Sequence, residues 1–418
     1  MLDTLRRAVR IGDLRRRILF TLAMIVVFRV GTHVPVPGID PSAIARMFGE
    51  GTIFSLLDLF SGGALSTFSV FAMSITPYIN ATIIMQLLTM VIPRLEKLSK
   101  EGEEGRKTIA RYVRYLTVVL ALIQAVGMSF GFRNAVRDPN FTSFAVIALT
   151  LTAGTAFLMW LGEQITEKGI GNGISLIIFA GIVSRLPAGT GNIIRYLTVG
   201  RVTVLNLLVL ALIGAAVIAA VVWIQEGQRR VPVQYAKRIV GRRMYGGQST
   251  HIPVRINQAG VIPVIFASSV LAFPVTIASF IQHPIAQRVQ ELFNYGGTLY
   301  TTVFAMLIIF FTYFYTALVF NPADMANNIR KYGGFVPGIR PGRPTAAYLD
   351  RILTRITLPG AIFLATVAIM PNFVMAIANI PGLYFGGTAL LIVVGVALET
   401  MKQIEAHLLL RHYQGFLR

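Results

Sequence analysis

The sequence predicts an all-α polytopic membrane protein of ten transmembrane helices, and three observations carry the prediction. Its 418 residues are 55% hydrophobic and only 13% charged, more apolar than a soluble domain can bury. The apolar residues gather in blocks of about 17 to 23, close to the ~20 that cross ~30 Å of hydrocarbon as a helix. Lys and Arg, 38 against 18 Asp and Glu, concentrate in alternate connecting segments.

In chain order the predicted spans are 18–35, 74–92, 110–131, 142–163, 170–186, 204–225, 259–281, 299–320, 352–372 and 384–405. The first follows an Arg-rich stretch, but no small-residue cleavage site ends it, so it reads as a retained helix and not a signal peptide. The second belongs to the run FSGGALSTFSVFAMSITPYINATIIMQLLTMVIP, residues 60–93, which Gly62, Gly63, Ser66, Ser69, Ser74 and Pro77 interrupt. Glycine costs ~1 kcal/mol in a helix interior relative to alanine. Pro77 lacks an amide donor and disfavours helix through the residue before it. Broken backbone survives at membrane depth only where protein or a water-filled cavity covers it. The break therefore points to a cavity. The fifth span opens on GIGNGIS at 169–175, which lacks the GxGxxG spacing and the preceding strand of a nucleotide loop.

Ten spans, an even number, put both termini on one side, and charge says which. Basic residues are retained in the cytoplasm during insertion. Arg6, Arg7, Arg10, Arg15, Arg16 and Arg17, the runs Arg94 to Arg114, Arg229 to Arg255 and Arg330 to Arg355 mark the cytoplasmic face; the opposite loops hold only scattered basic residues such as Arg46, Arg133, Arg195 and Arg288. Most of the net charge of +20 is accounted for by orientation and by attraction to anionic headgroups of membrane lipids. Two cytoplasmic loops exceed that need. EGQRRVPVQYAKRIVGRRMYGGQSTHIPVRIN, about 226–258, alternates with period two around VPVQYAKRIV and predicts a hairpin. NPADMANNIRKYGGFVPGIRPGRPTAAYLD, about 321–350, is held by Pro337, Pro341 and Pro344. Loops of this length usually bind something, and these offer an ordered basic docking surface for an acidic or RNA-containing partner.

Little in the chain resembles catalytic machinery. It has no cysteine, which excludes thiol catalysis, disulfides and cysteine-ligated metals. Its five histidines, at 33, 251, 283, 407 and 412, show no HExxH spacing. No Gly-Lys pair occurs, so there is no P-loop; energy must come from a partner or an ion gradient. A charge deep in the bilayer costs at least ~2.5 kcal/mol. Arg29, Glu163, Glu226 and Glu399 all fall toward span ends, where snorkelling and interfacial water accommodate them. What lies deep is isoleucine: Ile75 and Ile79, Ile174 and Ile178, Ile265, and Ile392. The i, i+4 pairs put each couple on one helix face, which by itself is what core or lipid-facing positions also show.

SGGALSTFSVFAMSITPYINATIIMQLLT, EKGIGNGISLIIFAGIV, YAKRIVGRRMYGGQSTHIPVRINQAGVIPVIFASS, GGFVPGIRPGRPTAAYLDRILTRIT and LYFGGTALLIVV resemble, in order and over essentially the whole chain, the SecY family of protein-conducting channel subunits. The resemblance implies two pseudo-symmetric inverted five-helix halves, 1–186 and 187–418, around a central pore, an arrangement common among transport folds. It implies a waist made of Ile75, Ile79, Ile174, Ile178, Ile265 and Ile392. Apolar constrictions block ions by dewetting without binding any one peptide sequence. It implies a re-entrant plug helix at about 60–70, comprising Ser61, Gly62, Gly63, Ala64, Leu65, Ser66, Thr67 and Phe68. A lateral gate between the second and seventh helices, flanked by the third and eighth, would be lined by Asn80, Gln124 and Asn257. Interhelical amide bonds worth only ~0.6 to 2 kcal/mol close such a gate without locking it. Amides of this kind also serve simply to satisfy local backbone.

By the same resemblance, Arg242, Arg243 and Arg340 would receive a SecA motor ATPase or the ribosome, contacting its rRNA through the basic loops, because Arg engages phosphate or carboxylate bidentately. Further expected partners are SecE-like and SecG-like small membrane subunits, signal peptides and unfolded preproteins. The implied setting is a bacterial plasma membrane, and no catalytic residue, metal or cofactor is expected. Two other classes share part of the pattern. A secondary transporter for a small solute fits ten helices but wants a midplane polar site, and an intramembrane hydrolase wants a Ser/His or carboxylate pair at shared depth.

Overall fold

Each of the ten apolar blocks lies on a helix. The computed structural model describes residues 10–40, 43–44, 58, 61–199, 203–235, 238–240, 243–245, 249–280, 284–293, 297–378 and 387–415. The first five blocks correspond to α1 (Gly12–Gly31), α2 (Thr76–Val91), α4 (Glu103–Gly131), α5 (Phe141–Lys168) and α6 (Gly173–Thr198), with the short α3 (Pro93–Lys100) after α2. The second five correspond to α7 (Val204–Glu226), α8 (Ile262–Phe280), α10 (Thr298–Val319), α12 (Arg343–Ala378) and α13 (Gly387–Gly415). Two further short helices are α9 (Pro284–Leu292) and α11 (Pro322–Lys331). Among the described residues, seven helices qualify as spans by length and composition, eight when the bent pair α2 and α3 counts as one. α1 carries Arg15, Arg16, Arg17 and Arg29 within its 20 residues, which keeps it below that standard, and α8 shows a shorter apolar stretch, Ile262–Thr276.

Proline punctuates α2 at both ends. Pro77 sits in the first turn, where a missing amide donor costs nothing, so it starts the helix instead of kinking it. Ile92, the residue before Pro93, is extended at φ −97° and ψ 111°, and α3 leaves at 102° to α2. Of the helix expected over 60–70, residue 60 lies outside the described residues, Ser61 is helical, and 62–68 are turns. The reason is local backbone. Gly62 and Gly63 take φ of +68° and +95°, and Phe68 and Ser74 take φ of 45° and 52°, left-handed values that stop helix propagation.

Packing sorts the spans into two sets. In the first, α2 packs on α4, α4 on α5, α5 on α6, and α1 on α5 and α6. In the second, α8 packs on α10, α10 on α12, α12 on α13, and α7 on α12 and α13. The sets meet where α6 touches α13 and where α2 and α4 touch α8. A second tie lies near the α5–α6 junction: the Gly171 amide donates to Gln403 Oε1 of α13 at 2.9 Å.

The two long basic segments are more ordered than loops, and they join each other. β1 (Gln228–Tyr235) pairs antiparallel with β4 (Ser249–Arg255), from Gln228 opposite Arg255 to Gln234 opposite Ser249. The hairpin expected around VPVQYAKRIV is thus split: its first half pairs with β4, and its second half forms a separate two-strand hairpin of β2 (Arg238–Val240) and β3 (Arg243–Tyr245). β5 (Gly334–Phe335) extends the sheet on the far side of β1. Val231, Val233 and Val254 then bury against Ile329 of α11, Val336, and Leu349, Ile352 and Leu353 of α12. Alternation puts Val231 and Val233 inward and Arg230 outward, and Arg229, ahead of the buried pair, is exposed as well.

Close approach of α5 and α6 depends on Gly173, where an added Cβ would collide with the Gly162 carbonyl. Gly173→Val is expected to destabilise the fold by about 1–3 kcal/mol through overpacking. A thermal unfolding scan in detergent checks this: the apparent Tm should fall, and an unchanged Tm would mean that the two helices do not need this contact.

Candidate functional site

The six sequence-predicted isoleucines arrive from separate pieces of chain. Ile75 and Ile79 lie at the start of α2, Ile174 and Ile178 on the first turns of α6, Ile265 on α8 and Ile392 on α13. Ile75, Ile79, Ile178, Ile265 and Ile392 are all buried members of one apolar cluster, and the half-buried Ile174 packs against it. The cluster draws on both helix sets at the place where they face each other. Exposing one fully buried isoleucine to water costs roughly 1.5–3 kcal/mol, so such a seam closes on itself unless an apolar or amphipathic occupant takes its place.

The turns of 61–75 lie against this cluster. Ala64, fully buried, belongs to it, whereas Leu65 and Phe68 bury in a second apolar group with Val36, Ile39, Met128 and Phe132. Ser69 bridges Pro35, the Val36 amide donates to the Phe68 carbonyl at 3.0 Å, and the Val70 amide donates to the Val34 carbonyl at 2.9 Å. Both glycines of the segment are required by φ, and Gly62 by space as well. A Cβ on Gly62 would sit 2.9 Å from Gly181 Cα of α6, and one on Gly63 would sit 3.2 Å from the Arg185 guanidinium.

Polar residues of the segment find partners that the sequence does not announce. Arg29 Nη1 donates to the Gly62 carbonyl at 2.7 Å. Arg185 ion-pairs with Asp58, and its Nη2 donates to Ser66 Oγ at 3.1 Å. Arg29 is therefore engaged with protein and does not simply snorkel. Glu163 pairs with Arg114 and Glu226 with Lys402, each at 2.8 Å. The available signals for the missed residues were an aspartate alone in the apolar run FSLLDLF and an arginine just after SLIIFAGIVS.

Of the three amides of the expected gate, Gln124 lines the cleft described next, and Asn80 and Asn257 are not among its lining residues. Gln124 of α4 lines a cleft between α2, α4 and α8 together with Leu65, Met73, Thr76, Met128 and Phe273. Asn80 is buried on α2, and its Nδ2 meets no partner among the described residues. Asn257 donates to the Gly260 carbonyl at 2.9 Å and so shapes its own turn ahead of α8, leaving Oδ1 without a partner among the described residues.

Of the docking arginines, Arg340 is exposed beyond β5, where its carbonyl accepts the Thr345 hydroxyl at 2.8 Å. Arg243 lies in β3, and Arg242 lies outside the described residues.

Comparison with known proteins places this geometry. The family model for SecY matches residues 69–401. The protein translocase subunit SecY of Halalkalibacterium halodurans is 51% identical, with all of both chains covered. That of Escherichia coli K12 is 47% identical over 98% of this chain and 95% of its own. Among solved structures, one described as a protein conducting channel aligns with a TM-score of 0.66 at 18% identity, over 94% of this chain and 92% of that one. Sec61 in a canine ribosome-channel complex from the endoplasmic reticulum aligns with a TM-score of 0.63 at 17% identity, over the same shares. With most of its length inside the family model and about half of its residues shared with full-length relatives, the chain belongs to the SecY family.

Proposed function

We propose that this chain is a passive protein-conducting channel. It moves unfolded secretory polypeptides across, and membrane segments sideways into, a bacterial plasma membrane, while a docked motor ATPase or ribosome supplies the work. The observation that carries the reading is the apolar cluster in which isoleucines of α2, α6, α8 and α13 meet under the 61–75 segment. Side chains of this kind grip any extended chain and bind none in particular. The plug residues 61–68 leave the waist when a chain enters, and the six isoleucines become the collar around it.

Each set of helices acts as one half, 1–186 and 187–418 apart from the end of α6, which carries the first half on to Thr198, with both termini cytoplasmic as the basic loops require. The halves part on the side where α2 and α4 meet α8, with Gln124 facing the widening cleft and Asn80 exchanging its buried position for a polar neighbour. A signal peptide h-region of 7 to 15 apolar residues refills that cleft and restores the apolar burial that parting the helices gives up. The sheet of β4, β1 and β5 joins the two basic segments, and Arg242, Arg243 and Arg340 of those segments are the docking residues. A Sec61 channel of similar fold has been solved on a ribosome, and a SecA-like motor suits the same face. SecE-like and SecG-like subunits cover the lipid-exposed helices.

The absence of native cysteine makes one experiment clean. A cysteine at Ile178 is expected to form a disulfide with a cysteine in a secretory polypeptide stalled halfway across, while one at Leu212, 65% exposed on α7, is not. Capture at both positions or at neither, with the polypeptide bound, would remove the isoleucines from the path. For the docking face, Arg340→Glu is expected to lower driven transport at least tenfold and leave the resting ion leak of reconstituted vesicles unchanged. Transport at the unaltered rate would detach Arg340 from the partner.

A further inference from the structure

We propose that Asp58, Arg185 and Arg29 form an ionic latch that holds the 61–75 segment shut over the isoleucine waist, and that its release is a separate step from the parting of the helix sets. The proposal rests on the channel reading above and adds to it the chemistry that keeps the resting channel closed.

The three residues converge from distant places in the chain. Asp58 is 7% exposed, too buried for a carboxylate to remain without a partner. It serves as the hub of the segment. One carboxylate oxygen accepts the Ser66 amide at 2.8 Å, and its carbonyl accepts the Ser61 hydroxyl and the Gly63 amide, both at 3.0 Å. The other carboxylate oxygen pairs with Arg185, whose guanidinium also reaches Ser66 Oγ. Arg29 holds the adjacent Gly62 carbonyl from α1. Two arginines on two helices thus grasp one turn of chain through a single carboxylate and two oxygens.

The direction of these anchors matters. Arg29, Arg185, Thr32, Val34 and Val36 all belong to the first helix set or to the segment that leaves α1. Toward the second set, the contacts of the segment among the described residues are apolar, through Ala64 in the shared cluster and Leu65 and Met73 at the cleft lined by Ala272 and Phe273. Parting the two sets breaks these apolar contacts and leaves the bonds to Arg29 and Arg185 intact. The segment therefore stays with α1 and α6 until the carboxylate and its two arginines separate. Removing Arg185 strands Asp58 in a buried place, and removing Asp58 takes away the carboxylate that ties Arg185 to the segment; either change shifts the balance toward the released segment. Because the pair is largely buried, salt screens it weakly and charge substitution is the effective probe.

The chain reconstituted in liposomes, loaded with iodide and carrying no polypeptide, tests the latch. Asp58→Asn and Arg185→Gln are each expected to raise resting iodide efflux at least tenfold, and the exchange Asp58→Arg with Arg185→Asp to return it to within threefold of the original. A folded single variant with unaltered efflux would overturn the latch, as would an exchange variant that leaks as much as the singles. Should the single variants not fold, the exchange decides alone: folded and tight supports the latch, unfolded or leaky overturns it. Failure of the channel reading itself looks different, because the cysteine at Ile178 would then capture no translocating polypeptide in any of these backgrounds.

Discussion

The structure depends on one constraint: an apolar seam between two helix sets has to exclude water when nothing fills it. Isoleucines from α2, α6, α8 and α13 meet there because each helix presents a branched apolar side chain at the crossing. β-branched side chains are stiff, so the seam closes without long-chain rearrangement. Everything else serves that contact. The turns of 61–75 lie beside the seam, the cleft of α2, α4 and α8 gives it an opening edge, and the contact of α6 with α13 holds the two sets together elsewhere. A purely apolar seam has no preference for a particular occupant, which is the property a conduit for many sequences needs.

Charge is assigned to tasks that apolar contact does badly. At the 61–75 segment, Arg29 bonds the Gly62 carbonyl and Arg185 ion-pairs with Asp58, directional contacts that apolar packing does not supply. At the other extreme, the arginines of β1 point outward while its valines build a small core with α11 and α12. A rigid base of that kind lets basic side chains be presented at fixed spacing. Two segments far apart in the chain become one surface through the pairing of Gln234 with Phe335 and Tyr235 with Gly334.

Glycine and proline act here as geometric instructions. Gly62 and Gly63 combine a left-handed backbone with a surface flat enough to lie on α6, and neither demand tolerates a side chain. Pro77 and Pro93 bracket α2 so that it begins just after the turns and stops where α3 bends away. The interruption of an otherwise apolar run is thus a change of task along the chain, from covering the seam to spanning.

Much of this was legible in the sequence, because length, hydropathy and alternating charge are local quantities that the bilayer reads directly. The ten blocks all fall on helices, and the six isoleucines named from the family motifs lie in or against one apolar cluster. Helix ends were less legible: α12 begins at Arg343, well before its apolar block, since a helix continues through polar residues once started. The partner of β1 was hidden because VPVQYAKRIV alternates equally well for pairing with β4 or with its own continuation, and only burial against α11 and α12 chose between them. The gate amides came from the family resemblance and their polarity, and the sequence did not show that Asn257 would bond its own turn while Gln124 lines a cleft. The roles of Asp58, Arg29 and Arg185 lay beyond sequence reading for the same physical reason. A charge in an apolar stretch announces that it needs a partner, and only tertiary structure decides which of the distant candidates comes within hydrogen-bond reach.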